Sequence, residues 1–319
     1  MTGRSIYDDI ADRTNGEFMI GVTGPVRTGK STFIKRFIES AVLPRMEGEY
    51  ERTQLRDELP QSAGGRTVMT AEPKFIPDEA ASVVLPSGGT LKMKMIDCVG
   101  YLVPSALGAE ENGEVRMVHT PWDETPKPFE EAAEEGTRRV IRDHSTIGIL
   151  VTSDGSFGDI ARDDFVDAEE RVARELRESG KPFVVVVNSA HPDSPEAEAL
   201  ALELEAKYDV PAALVDCTRL DEEDVLGILE LVLSDFPVRE ISVNYPEWVN
   251  ALDDDHWLKR LIFDSCVSCA SGIRRMGDVP MIYAASLADR ISEGLGEKYG
   301  RAEVSAGEAK LGSGESAVS

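Results

Sequence analysis

Two rhythms of hydrophobic and polar positions run along this chain. From residue 147 onward, short continuous apolar runs alternate with segments whose apolar residues recur every three to four positions. Residues 147–151, 182–187 and 212–215 read as buried strands, and 163–179, 195–208 and 222–233 as amphipathic helices. Strands without polar positions are buried on both faces. Alternating with helices, they require right-handed crossovers and a mostly parallel sheet. Upstream, an apolar run at 18–22 leads into a glycine-rich turn, and helical spacing runs from Lys30 until Pro44 stops it. Residues 81–85 and 91–97 alternate like two strands joined by the turn Pro86-Ser87-Gly88-Gly89, which predicts an antiparallel edge hairpin. The fold class is therefore α/β, doubly wound, with a mostly parallel sheet and an antiparallel edge.

Between these elements the chain is less regular. From Pro44 to Pro77 it is polar and punctuated by Pro60, Gly64, Gly65 and Pro73, the signature of a long surface excursion. Residues 101–128 are irregular, and Ala132, Ala133, Val140 and Ile141 mark one helical face within 129–143. After Pro237 the periodicity loosens around Trp248 and Trp257, which read as packing anchors. From Gly294 the composition turns to Gly, Ala, Ser and Glu, which predicts a disordered tail. The expected organisation is a nucleotide-binding domain over 1–240, a partial helical middle segment over 241–290 and the tail over 291–319.

Composition narrows the function. A net charge of −25 over 319 residues repels phosphate backbones and anionic headgroups, so nucleic acid is an unexpected partner and self-association must use local patches. Apolar residues make up 41% and charged residues 29%, the balance of a globular chain. No apolar run is long enough to span a bilayer, and the polar start lacks the apolar stretch of a signal peptide, so a cytoplasmic location is expected. The 4 cysteines suggest no disulfide framework. The Cys266/Cys269 pair has neither a second pair nor a histidine cluster near it, which argues against a zinc or redox role.

The chemistry concentrates at one motif. Gly24-Pro25-Val26-Arg27-Thr28-Gly29-Lys30-Ser31 satisfies G-x-x-x-x-G-K-S between an apolar strand and a helix, the context a P-loop requires. Glycines let successive N–H groups face phosphate oxygens, Lys30 adds a positive charge and Ser31, followed by Thr32, offers a hydroxyl to Mg²⁺. Asp97 begins D-x-x-G at a strand end and is the expected Walker B carboxylate. The N–H of Gly100 is then placed to sense a γ-phosphate. Thr70, with Thr67 second, is the loop threonine best placed to close over the metal. Asn188-Ser189-Ala190-His191 stands where a guanine reader would carry N-K-x-D, so guanine selectivity lacks its hydrogen-bond partner and ATP is the expected nucleotide. Tyr101 occupies the position of a water-orienting glutamine, which predicts slow intrinsic hydrolysis. Arg27 and Arg162 are candidate charge stabilisers, with a surface salt bridge as the competing role of each.

Longer stretches, among them IADRTNGEFMIGVTGPVRTGKSTFIKRF, ELPQSAGGRTVMTAEPKFIP, IDCVGYLVPSALG, HTPWDETPKPFEEAAEEGTRRVI, HSTIGILVTSDGSFGDIARDDF and GKPFVVVVNSAHP, closely resemble the stage IV sporulation protein A family, the coat morphogenetic ATPases of endospore-forming bacteria. The resemblance runs over about residues 6–278. It implies a cytosolic P-loop ATPase of the translation-factor (TRAFAC) class that uses ATP and Mg²⁺ and polymerises on the forespore surface as the base layer for spore coat proteins. By position, Lys30 matches the Walker A lysine, Asp97 the Walker B aspartate and Thr70 the first of two sensor threonines, the second being Ala71 here. In the family a C-terminal domain binds the forespore membrane through stage V sporulation protein M. Beyond Val279 this chain departs from that pattern and ends in GEAKLGSGESAVS, so the expectation is a truncated or altered copy without that domain. Two rival readings stay open: a monomeric GTPase switch, and a scaffold that binds nucleotide for stability without turning it over.

Overall fold

Strand β1 (Glu17–Thr23) lies inside a six-stranded sheet, flanked by β3 (Thr90–Asp97) and β4 (Ile147–Ser153). Beyond β4 come β5 (Phe183–Asn188) and β6 (Ala212–Val215), and β2 (Lys74–Val84) forms the opposite edge, giving the order β6-β5-β4-β1-β3-β2. Every pairing is parallel except β2 with β3. The structure is a computed structural model and describes residues 11, 14, 16–60, 72–84, 90–105, 110–111, 114–238, 241–243, 247–278, 291, 309–312 and 315–318. It divides into two compact units, Met1–Val232 and Leu233–Ser319.

The parallel core follows from residue type. All residues of β4 and β5 are buried, as continuous Val and Ile runs demand when helices cover both faces. Helix α1 (Lys30–Phe37) follows β1 and buries Phe33, Ile34 and Phe37, whereas α4 (Arg162–Ser179) buries Phe165, Val172 and Leu176 and stops at the left-handed Gly180. Helix α5 (Pro195–Tyr208) opens with a Ser194 hydroxyl accepting the Ala197 N–H at 3.3 Å and a proline in its first turn. Helix α3 (Phe129–Arg139) precedes β4, and α6 (Glu222–Asp235) follows β6. These elements place the carboxyl ends of β1, β3, β4 and β5 along one edge of the sheet.

Several expectations need correction. The polar stretch after Pro44 contains a helix, α2 (Glu49–Glu58), in which only Leu55 is buried. A single apolar anchor leaves no periodic stripe to detect, although Glu, Gln, Leu and Arg are good helix formers. Strand β2 begins at Lys74, earlier than the alternation suggests, because its register shifts between Ile76 and Ala81 around Pro77. A proline is tolerated there because β2 is an edge strand. The turn at 85–89 lies outside the described residues.

In the second unit, α8 (Trp257–Ala270) follows the short α7 (Glu247–Asn250) and starts at His256, whose Nδ1 accepts the Leu258 N–H at 3.2 Å. Trp248 is 53% exposed, so it is no packing anchor within this unit. The tail expected to lack structure contributes β8 (Ala309–Gly312) and β9 (Glu315–Val318), which pair antiparallel, and β9 pairs parallel with β7 (Ile241–Val243). No helix among the described residues is long and apolar enough to cross a membrane.

One polar cluster sits inside the first unit. Glu169 of α4 is fully buried; Arg162 donates to its two carboxylate oxygens at 2.6 and 3.0 Å, and the Tyr208 hydroxyl donates at 2.8 Å. The Thr152 hydroxyl of β4 completes the set. Removing the carboxylate strands a guanidinium and a phenol together, so Glu169→Ala is expected to destabilise the fold by about 3–5 kcal/mol. Urea unfolding of the variant beside the parent chain measures it, and a loss below about 1 kcal/mol contradicts the assignment.

Candidate functional site

The chain leaves β1 through Gly24, at a place where no side chain fits. A Cβ there would stand 2.1 Å from the Val151 carbonyl oxygen, and φ is +141°. The next residues run against the segment that follows β3. Tyr101 N–H donates to Gly24 O at 3.3 Å, and Val26 N–H donates to Tyr101 O at 2.9 Å. Arg27 is half-buried with φ at 67°, in the left-handed region that a non-glycine residue seldom occupies. The buried Thr28 hydroxyl donates to Pro25 O at 3.1 Å, closing the turn.

Gly29 caps α1 with φ at 97° and no side-chain hydrogen bond, so the N–H groups of the first turn meet no capping side chain. A Cβ at Gly29 would stand 2.3 Å from Asn188 Nδ2. That carboxamide is already occupied on both sides: Nδ2 donates to Thr28 O at 3.0 Å, and Oδ1 accepts the Cys217 N–H at 3.0 Å. Asn188 therefore braces the turn to the ends of β5 and β6. The loop after β4 joins this brace, because the Ser156 hydroxyl accepts the Ala190 N–H at 2.7 Å.

Lys30 is 6% exposed, and its ammonium donates to Pro25 O at 2.6 Å and Gly24 O at 3.3 Å. Burial pulls its pKa below the usual lysine range, with Cys98 and Asp97 opposing the shift. Asp97 shows the mirror effect. Burial pushes its carboxyl up, while the Ser31 hydroxyl, donating to Oδ2 at 2.7 Å, and the Lys30 charge draw it down. Thr32 is half-buried one residue further along the same turn.

Gly100 packs beside this charge. Its φ is +88°, and a Cβ would stand 1.9 Å from Gly24 O and 2.8 Å from Lys30 Nζ. Its N–H donates to the Thr137 hydroxyl of α3 at 3.2 Å. Tyr101 turns away into the core beside Val26, Leu150 and Phe165, with the Arg171 guanidinium 4.5 Å from its ring centre. Burial, and then Glu175, push its phenol pKa upward, so the phenol stays protonated.

The structure thus gathers Gly24, Arg27, Thr28, Gly29, Lys30, Ser31, Asp97, Gly100 and Asn188 within one region. Thr67, Thr70 and Ala71 lie outside the described residues. Of the two roles open to Arg162, the structure shows the ion pair: its guanidinium is held by the buried Glu169. The sequence reading missed Thr137, whose only signal is a threonine inside a helix that bonds back to Ala133 O at 2.8 Å. All four cysteines are buried, and none forms a disulfide. Among the described residues no group of three or more His, Cys, Asp or Glu could hold a metal ion.

A row of N–H groups without a capping side chain, a buried ammonium and a hydroxyl–carboxylate pair together suit a polyanion accompanied by a hard cation. The glycine positions test this geometry independently of any ligand. Gly24→Ala meets backbone and is expected to destabilise by more than Gly180→Ala, where nothing lies within 4 Å and the left-handed strain alone costs about 1–2 kcal/mol. Thermal unfolding of the two variants checks the order.

Comparison with known proteins follows the same division of the chain. The family model described as stage IV sporulation protein A, ATPase domain, matches residues 1–237, and the model of that protein's middle domain matches 238–311. The chain is 50% identical over 277 residues to stage IV sporulation protein A of Bacillus subtilis (strain 168), covering 87% of this chain and 56% of that one. Against the protein of the same name from Clostridioides difficile (strain 630) it is 47% identical over 275 residues, covering 86% and 56%. The chain spans about half the length of the curated relatives it matches. With an ATPase-domain model matched over most of its length and about half of the aligned residues identical to those of these relatives, the chain belongs to the stage IV sporulation protein A family.

Proposed function

We propose that this chain binds ATP in a P-loop of the translation-factor class formed by residues 24–31, hydrolyses it to ADP and phosphate, and couples the reaction to self-assembly in spore coat formation. One observation carries the reading: the Ser31 hydroxyl meets Asp97 Oδ2 at 2.7 Å beside the buried Lys30 ammonium, where Gly24 and Gly100 admit no side chains. Ser31 and Asp97 supply hard oxygen ligands and would hold Mg²⁺, with Thr70 as the proposed closing ligand. Bound there, Mg²⁺ supplies charge neutralisation to the phosphate chain.

The remaining roles belong to the chain's own residues. The N–H groups at the start of α1, which meet no capping side chain, orient phosphate oxygens, and the buried, low-dielectric surroundings of Lys30 strengthen the pull of its charge. An arriving anion offsets the desolvation that holds the Lys30 pKa down, so binding keeps the ammonium protonated. Asn188 positions the turn and does not read a base, its carboxamide being bonded to backbone on both sides. His191 stands where a guanine reader carries its aspartate, and this lack of a carboxylate supports ATP over GTP. Because Tyr101 is buried, no side chain of the 97–101 segment orients the attacking water. Intrinsic turnover is slow on this reading and is completed when a second copy supplies the missing group.

In the family this chemistry serves a layer on the forespore, and the coat proteins and the membrane-binding stage V sporulation protein M remain proposed partners here. Phosphate release and light scattering, followed together over a series of protein concentrations, test the function. The expected result is turnover with ATP and not GTP, a rate per chain that rises as particles form, and a loss of roughly a hundredfold or more in Lys30→Ala or Asp97→Ala. A preference for GTP contradicts the nucleotide assignment, and a rate per chain independent of concentration contradicts the assembly.

A further inference from the structure

Gly100 has one N–H, and in this fold a side chain holds it. The acceptor is the Thr137 hydroxyl, which is fully buried in the last turn of α3 and donates its own proton to Ala133 O. The hydroxyl thus accepts from Gly100 at 3.2 Å and donates to Ala133 at 2.8 Å. Gly100 itself packs against the Lys30 ammonium, since a Cβ there would stand 2.8 Å from Nζ. A phosphate oxygen is a charged acceptor and forms a stronger bond than a neutral hydroxyl.

A second contact ties the same helix to the neighbouring residue. Glu134, three positions before Thr137 and on the same face of α3, forms an ion pair with Arg171, whose guanidinium covers the Tyr101 ring at 4.5 Å. Helix α3 thus grips Gly100 by a hydrogen bond and Tyr101 through an arginine, while the backbone of Tyr101 is bonded to Gly24 and Val26. A shift at Gly100 has a direct route into α3.

We propose that Thr137 is a latch on the phosphate-sensing amide: its hydroxyl and the γ-phosphate of ATP compete for the Gly100 N–H, so that ATP, unlike ADP, must free Gly100 from α3. The proposal rests on the reading of residues 24–31 as an ATP cradle. It makes Thr137 a positioning residue, touching no substrate and acting through Gly100. ATP binding then loosens α3, and loss of the γ-phosphate lets the helix close again. Each state of the site corresponds to one partner of a single donor.

The variant Thr137→Val keeps the shape of the side chain and removes the acceptor. It leaves the Gly100 amide unpaired unless a phosphate reaches it, which selects the ATP-bound arrangement. Calorimetric titration of the full chain with a non-hydrolysed ATP analogue and with ADP, each with Mg²⁺, reads the effect. The ratio of ADP to analogue dissociation constants is expected to rise about three- to tenfold in Thr137→Val, from the usual strength of one hydrogen bond, and to return to the parent value in Thr137→Ser. An unchanged ratio, or equal weakening of both ligands with a lowered melting temperature, overturns the latch and leaves Thr137 a packing residue. A parent chain that binds neither ligand overturns the cradle, and the latch with it.

The parent chain also gives a readout that needs no variant. Amide hydrogen exchange over residues 129–139 is expected to speed up with the analogue relative to ADP, as the helix loses its hold on Gly100. Equal exchange in the two states contradicts the coupling even if the affinity ratio moves.

Discussion

Everything at this site depends on two backbones approaching each other more closely than side chains permit. Gly24 and Gly100 face one another across the ends of β1 and β3, and a Cβ on Gly100 would stand 1.9 Å from the Gly24 carbonyl. That approach lets Tyr101 donate to Gly24 and accept from Val26 across the two segments, with the Lys30 ammonium bonded to the Gly24 and Pro25 carbonyls. The cation is buried, and its stability rests on two carbonyl oxygens and the nearby Asp97 carboxylate. A buried charge with partners of this kind attracts an anion strongly, because no bulk water screens it.

The surrounding fold serves to hold that geometry still. Parallel strands bring the ends of β1, β3, β4 and β5 to one edge, and short polar braces tie their loops together: Asn188 to Thr28 and Cys217, Ser156 to Ala190. The buried Arg162–Glu169–Tyr208 cluster anchors the start of α4 just after the β4 loop. Against a net charge of −25, these local arrangements set a buried ammonium at the carboxyl edge of the sheet, a feature that suits an anion. The same negative charge opposes assembly of copies, so any assembly must be driven by a change at specific contacts.

Much of this was legible in the sequence because it depends on short-range patterns. Continuous apolar runs announced β4, β5 and β6, and glycine spacing before Lys30 announced the turn, since both reflect backbone requirements that few residues meet. Helix α2 escaped because one buried leucine makes no stripe. The strands β8 and β9 escaped because a Gly, Ala and Ser composition carries no apolar alternation. The two roles of Arg162 stayed open in the sequence because its partner Glu169 is seven residues on, inside a helix otherwise rich in charge, and burial is not written in composition. Asn188 opens the segment that stands where a base reader is expected, and the backbone groups it bonds in the fold come from elements 160 and 29 residues away. Thr137 was invisible for the same reason: its partner lies 37 residues away on another element.

The account stands on the claim that the apposed Gly24 and Gly100 segments form a nucleotide cradle. Thermal unfolding of the parent chain and of Gly100→Ala over a rising concentration of Mg·ATP tests it most directly, because a ligand that binds only the folded state raises the melting temperature in proportion to the logarithm of its concentration. The account predicts a steady rise for the parent chain and none for Gly100→Ala. A parent chain whose melting temperature stays flat through millimolar Mg·ATP contradicts it.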